Sequence, residues 1–231
     1  MATHPSVSCV IPVFNGARYL GQAIESVLDQ GRSTVGIIVV DDGSTDATAD
    51  VARRFGHRVT YVQQQNAGAV SARNRGITQA STEFVTLLDA DDLWYPEKTD
   101  IQLGRFEARP DLAICTAHME NFWTVEVAQE VQTLPDDRLK DTQPNVGSSF
   151  MARRSLFDKI GLLNVALKYC DVQEWILRAV DSGLIAETLP DVLVKRRIHD
   201  SNFSRHQQGP RDLELLTIAQ ARIARLRRSP T

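Results

Sequence analysis

Val35-Gly36-Ile37-Ile38-Val39-Val40-Asp41-Asp42-Gly43-Ser44-Thr45-Asp46 holds a whole structural unit in one line of text. Its first half is an apolar, β-branched run, too short for a helix and without polar alternation. Such runs form strands covered on both faces, as in parallel sheets. Asp-Asp-Gly then breaks the strand into a turn, and Ser44, Thr45 and Asp46 can cap a helix running to about Phe55. The same order recurs on either side. The run 7–13 ends at Asn15-Gly16 and is followed by Leu20, Ala23, Ile24, Val27 and Leu28 at helical spacing; a strand over 59–63 precedes a helix over 69–80. A fourth strand, 84–88, runs straight into Asp89-Ala90-Asp91-Asp92.

Strands alternating with helices specify an α/β domain with a Rossmann-like, mostly parallel sheet flanked by helices. Ligands of such sheets bind beyond the carboxyl ends of the strands, where Asn15, Asp42 and the 89–92 acids all lie. In the second half the pattern predicts a helix over 97–108, a strand over 112–118, and an irregular or hairpin-like stretch over 119–145 where periodicity fades. Structure resumes over 146–151, with a short helix over 154–160, a stronger one over 172–182 and a strand over 192–197. Leu216, Ala219, Ile223 and Leu226 mark an amphipathic closing helix over 211–228. No linker, low-complexity tract or solenoid period divides the chain. It reads as one domain, 1–231, with a ligand-binding half over 6–118 and a smaller C-terminal region over 119–205 that faces the second substrate.

The composition fits that reading. The chain has 231 residues, 26 Lys+Arg against 29 Asp+Glu, 42% hydrophobic and 24% charged residues, which excludes wholesale disorder and collagen-like or coiled-coil architecture. No apolar run approaches the roughly 20 residues that cross a bilayer, and Met1-Ala2-Thr3-His4-Pro5 lacks the layout of a signal peptide. Cys9, Cys115 and Cys170 are odd in number and far apart, unlike a disulfide framework or a structural zinc site. The expectation is a soluble protein of the cytoplasm. Charge is uneven: residues 89–141 carry 13 acids and 5 bases, residues 195–231 carry 9 bases and 3 acids. The basic closing helix leaves open a peripheral contact with anionic membrane at its inner face or with a second copy of the chain, and no nucleic-acid partner is expected.

Asp89 and Asp91 end a buried strand, so both carboxylates project from a fixed edge. Hard oxygen donors suit Mg2+ or Mn2+, and Mg2+ characteristically takes one or two carboxylates and leaves the rest to water and substrate phosphates. The same acids can instead cap the turn that follows. Asp42, at the same edge, can accept from a nucleobase or a ribose or serve its own turn, and Phe14 can stack on a base or, as its residue type alone suggests, join the core. Gly-x-Gly-x-x-Gly and Gly-x4-Gly-Lys-Ser/Thr are absent, as are His-Glu-x-x-His and Gly-x-Ser-x-Gly, which removes dinucleotide, P-loop, zinc-protease and serine-hydrolase readings.

Taken in order, Val10-Ile11-Pro12-Val13-Phe14-Asn15-Gly16, Val39-Val40-Asp41-Asp42-Gly43-Ser44-Thr45-Asp46, Asn66-Ala67-Gly68 with Ala72-Arg73-Asn74-Arg75-Gly76-Ile77, and Leu87-Leu88-Asp89-Ala90-Asp91-Asp92 resemble the family 2 glycosyltransferases of GT-A fold over about residues 6–205. The resemblance implies an inverting transfer of a sugar from a nucleoside diphosphate to an acceptor hydroxyl. Carried over by position, Pro12, Phe14, Asn15, Asp42, Gly68 and Ala90 would meet the nucleotide and Arg73 would help fix it. Asp89 and Asp91 would form the Asp-x-Asp pair for Mn2+ or Mg2+, with Asp91 the direct ligand, and Asp171 would be the general base. Trp175 would offer a platform to an acceptor sugar, although its helical spacing also suits a core position, and His199 would reach the metal or the diphosphate. A UDP-sugar is the donor the family favours; the acceptor, carbohydrate, lipid-linked or small-molecule, is left open. The family often has Glu-Asp where this chain has Cys170-Asp171, and an acidic pair near Asn164-Val165. Two other classes compete. A metal-dependent phosphohydrolase also places Asp-x-Asp after a strand, normally the first one. An inactive nucleotide-sugar or carbohydrate binder would have no use for Asp171.

Overall fold

The apolar runs become central strands because both of their faces are covered. In the computed structural model, which describes residues 7–31, 35–131, 143–202 and 208–226, β1 (Val7–Val13) is buried along its whole length. The units that follow are α1 (Leu20–Leu28), β2 (Val35–Asp41), α2 (Thr48–Arg53), β3 (Val59–Gln63), α3 (Ala69–Gln79) and β4 (Phe84–Leu87). The second half comprises β5 (Leu93–Trp94), α4 (Lys98–Ala108), β6 (Leu112–Trp123), α5 (Val125–Val131), β7 (Gln143–Asn145) and β8 (Met151–Arg153). It ends with α6 (Ser155–Ile160), α7 (Asp171–Asp181), β9 (Ile185–Ile198) and α8 (Gln208–Leu226). Residues 1–5, read above for targeting, the 132–142 part of the aperiodic stretch, and Arg227 and Arg228 of the closing helix lie outside the described residues.

Among the described residues all strands join one sheet in the order β3-β2-β1-β4-β8-β6-β9-β5, with β7 on β6. β3, β2, β1 and β4 run parallel; β8 pairs antiparallel with β4 and β6, and β6 then pairs parallel with β9 over its length. Val10 packs on one face of the sheet with Ile77 of α3, while Cys9 and Ile11 pack on the other with Leu20 and Ile24 of α1. That two-sided core is what uninterrupted apolar strands require. Cys9, Cys115 and Cys170 are buried and free.

Three expectations give way. The strand from Leu112 continues to Trp123, because its half-buried end, with Glu120 and Asn121 among apolar residues, is held by β9 rather than by its own periodicity; α5 then occupies part of the stretch expected to be irregular. β9 starts at Ile185 rather than at 192, its first half being mostly exposed and broken by Pro190 and Asp191, and the residues before Met151 form a turn, leaving only Met151–Arg153 as strand. The apolar stripe of the closing helix also faces the wrong way for burial: Leu216 and Ile223 are exposed, and Ile218 is the residue that packs inward.

α3 approaches β1 closely enough that a Cβ on Gly76 would lie 2.2 Å from Val10 Cγ1. Gly76 therefore sets the height of α3, and of Arg73 one turn earlier, above the sheet. Helix propensity favours Ala over Gly by up to about 1 kcal/mol. Gly76→Ala is nevertheless expected to destabilise by about 1–3 kcal/mol through overpacking, read as a lower urea midpoint at unchanged slope.

Lys98 is fully buried. Its Nζ donates to Thr86 Oγ1 at 3.0 Å and Gln102 Oε1 at 2.7 Å and lies 3.9 Å from the centroid of the Trp94 ring. Burial brings its pKa down to about 7. An unfolded chain keeps lysine near its ordinary value of about 10.4, so above pH 7 the unfolded state binds the extra proton and stability rises with pH towards 10. Urea titrations at pH 7 and 9.5 should show that rise in the native sequence and a much flatter profile in Lys98→Met.

Candidate active site

The first two strand–helix loops are stitched together. Asn15 stands at φ 50°, a conformation Asn tolerates. Its N–H donates to Ser44 Oγ at 2.8 Å and its Oδ1 accepts the Thr45 N–H at 2.8 Å. Gly16 N–H donates to Thr48 Oγ1 at 2.9 Å and Ala17 N–H to Asp46 Oδ2 at 3.1 Å. Burial would raise the Asp46 carboxyl, but its bonds from Thr48 and Ala17 hold it below the usual range. Asp41 Oδ1 accepts from Ser44 N–H at 2.8 Å and Oδ2 from the Tyr61 hydroxyl at 2.5 Å; burial, then that bond, pushes the Tyr61 phenol up to about 12. The stitched loops leave Phe14 52% exposed at the mouth of a pocket.

Asp42 serves the local structure, the second of the two roles open to it. It is 3% exposed, and its Oδ1 accepts from Gln64 Nε2 at 2.7 Å and Ala67 N–H at 2.9 Å, its Oδ2 from Gly68 N–H at 2.8 Å. These bonds fix the loop that delivers Gly68, at φ 91°, to the start of α3. Asp42 and Gly68 thus stand behind the wall, and Ala69 is the residue that lines the pocket.

The pocket has a volume of about 690 Å³. Pro12, Phe14, Asn15, Arg73, Asp89, Ala90, Asp91 and His199 line it. Arg73 spans its floor: Nη2 lies 2.7 Å from Asp89 Oδ1 and Nη1 2.9 Å from Asp171 Oδ2. Its Nε is buried without a hydrogen-bond partner. Burial works against its charge, yet the Asp171 and Asp89 carboxylates outweigh that and raise its pKa further. Asp171 is the first residue of α7 and 3% exposed, directly behind Arg73.

Asp91 faces the opposite wall. Its Oδ2 lies 3.0 Å from His199 Nε2 and accepts from Asn202 Nδ2 at 3.1 Å, while His199 Nδ1 lies 3.0 Å from Ser201 Oγ and its ring sits 4.8 Å from that of Tyr19. Arg197 supports the acidic turn from beneath, donating from Nε to the Asp91 carbonyl at 2.9 Å and held between the Tyr19 and Phe122 rings at 4.6 and 4.5 Å. Asp92 is buried; its Oδ2 accepts from the Ser148 hydroxyl at 2.7 Å and its Oδ1 from Arg197 N–H at 3.1 Å. Burial, then the charges of Asp91 and Asp89, pushes its carboxyl well above the usual range.

Trp175 is not part of the site. It is fully buried, stacked on Phe157 at 4.4 Å, with its indole N–H donating to the Gly161 carbonyl at 2.7 Å, so no face remains for an acceptor. Pocket residues outside the site motifs include Arg18, Tyr19, Asn202, Lys168, Tyr169 and Arg211. They fall in no motif, and the last three come from a segment and a helix far along the chain. Among the described residues no group of three or more His, Cys, Asp or Glu side chains is arranged to hold a metal alone, and no helix is long and apolar enough to cross a membrane.

The model of glycosyl transferase family 2 matches residues 8–161. An uncharacterized glycosyltransferase of Rickettsia typhi is 32% identical over 216 residues, covering 85% of this chain and 65% of its own. The uncharacterized glycosyltransferase YibD of Escherichia coli is 29% identical over 231 residues, covering 90% and 66% respectively. The chain thus spans about two thirds of the length of these relatives. Of solved structures, S. aureus TarS 1-349 in complex with UDP-GlcNAc superposes with a TM-score of 0.73 at 20% identity, over 93% of this chain and 66% of that one. The mannosyltransferase PcManGT of Pyrobaculum calidifontis, in complex with GDP-Man and Mn2+, does so with a TM-score of 0.71 at 20% identity, over 100% and 66%. At these identities the likeness is one of fold, and the fold is the expected GT-A.

Because Asp42 holds a loop, Asp42→Ala should destabilise by about 1–3 kcal/mol, the range for stranding buried donors. Hydrogen exchange should find the Ala67 and Gly68 amides the most accelerated.

Proposed function

The chain belongs to glycosyl transferase family 2, and from that premise we propose that it moves a sugar from a nucleoside diphosphate to an acceptor hydroxyl with inversion at the anomeric carbon. The observation that carries this reading is the Arg73 bridge, which ties Asp89, on the pocket lining of the donor half, to Asp171 of the second half, buried directly behind the guanidinium. Phe14, half-exposed between Pro12 and Asn15, stacks on the nucleobase, for which uracil is favoured. Ala90 leaves room for the ribose and phosphates beside Asp89.

A divalent ion, Mn2+ or Mg2+, fits the donors on the far wall, the Asp91 carboxylate beside the His199 imidazole, with phosphate oxygens and water completing its shell. The chemistry it would supply is Lewis-acid stabilisation of the charge that grows on the leaving diphosphate. Asp171 takes the proton of the acceptor hydroxyl as the new bond forms. Its Oδ2 is bonded to Arg73, so this role requires the guanidinium to turn away. The incoming diphosphate, being more negative than one carboxylate, is the group that draws it. The acceptor, whether carbohydrate, lipid-linked or small molecule, meets the wall formed by Lys168, Tyr169 and Arg211.

Calorimetric titration of UDP, GDP and dTDP, with and without Mn2+, should find one nucleotide bound in a metal-dependent manner and that binding lost in Asp91→Asn. Absence of nucleotide binding under every condition would overturn the reading. Asp171→Asn should keep nucleotide affinity while kcat falls by about 10²–10⁴-fold, the usual contribution of a general base. Undiminished turnover in that variant would leave a transferase without this base, and no turnover in the native chain would favour a binder.

A further inference from the structure

α8 runs for 19 residues, yet Ile218 is its one buried residue among those whose side chains are described. It is held instead by a stripe one turn apart, Glu214, Ile218 and Arg222. Ile218 packs with Leu167 and Cys170, and Arg222 Nε donates to Asp181 Oδ1 at 2.8 Å, at the far end of α7. Glu214 makes the densest contact. Its Oε1 accepts the backbone N–H of Lys168 at 2.7 Å, and its Oε2 accepts those of Tyr169 at 3.0 Å and Cys170 at 3.1 Å. Three successive main-chain donors, immediately before Asp171, thus converge on one carboxylate brought from a distant helix.

We infer that Glu214 is a positioning residue for Asp171. Charge-assisted bonds to N–H groups are stronger than neutral ones, and a carboxylate at the start of α7 also gains from the partial positive charge of that helix end. With residues 168–170 fixed from outside, the backbone of Asp171 has no freedom of its own, and its side chain is fixed by Arg73. Until the guanidinium turns away, Asp171 is held between two anchors of opposite sign, Glu214 on the main chain and Arg73 on the carboxylate; afterwards the Glu214 anchor is the one that keeps its place. The same clamp sets a wall of the pocket, since Lys168 and Tyr169 carry two of the gripped amides and Arg211, one turn before Glu214, lines the pocket with them.

This rests on Asp171 being the base, and the variants separate the two claims. Glu214→Gln keeps the shape but can accept through one oxygen only, its amide nitrogen facing donors. The amides of residues 168–170 should exchange about tenfold faster or more, as expected from losing one charge-assisted bond. kcat should fall by about tenfold or more with nucleotide affinity unchanged. Arg222→Ala, which frees the other end of the stripe, should leave both the three amides and kcat near native values. Unchanged exchange in Glu214→Gln would overturn the clamp. Faster exchange with native kcat, equal loss of nucleotide affinity, or an equal loss of kcat in Arg222→Ala would overturn the positioning role. If Asp171→Asn keeps turnover, the reading of the base fails instead.

Discussion

A buried guanidinium must be paired, and Arg73 is paired twice. Removing either carboxylate would leave the guanidinium, mostly shielded from water, with one partner in place of two. The arrangement therefore couples two parts of the chain that share no strand: α3 supplies Arg73, the end of β4 leads to Asp89, and α7 begins at Asp171. Everything that sets the height and tilt of α3, from the Gly76 contact with Val10 to the Asp42 bonds at its first turn, is felt at this triad.

Beneath the acidic turn lies a second polar layer, and it is fully engaged. Ser148 accepts the Asp89 N–H at 3.2 Å, donates to Asp92, and its carbonyl accepts from the Trp94 indole at 2.7 Å. Gln102, which takes a bond from Lys98, itself donates to the Ser149 carbonyl at 2.8 Å. Buried networks of this kind rigidify when every member is satisfied. The carboxylates of Asp89 and Asp91 are consequently presented from a stiff base.

What the sequence disclosed follows from what its physics can encode. Strand runs, helix spacing and the turn acids are legible because burial on both faces, a 3.6-residue period and chain breaks each leave a local mark; Arg73 and His199, which line the same pocket, carry no such mark and are singled out by the family resemblance alone. Asp42 shows the limit: an Asp after a strand reads the same whether its oxygens are open or already hold three donors. Trp175 shows another, since an apolar helix position carries no label for core or platform. The exposed first half of β9 leaves no apolar pattern in the sequence, and the leucines of α8 mark the wrong face because the helix docks through Glu214, Ile218 and Arg222. Contacts made by one residue across a long stretch of chain, such as Arg211 on the pocket wall, leave no periodic trace at all.

The strand order carries a consequence of its own. From β1 the chain steps outward through β2 and β3, then returns to lay β4 on the other side of β1. Between β1 and β4 the winding reverses, with α1 and α3 departing to opposite faces of the sheet. At such a topological switch point the loops must diverge, and a crevice opens without any side chain being asked to make it. Pro12 to Asn15 and Asp89 to Asp91 border that gap. Where this protein binds is thus a property of connectivity, whereas what it binds is written in a few replaceable side chains along the rim.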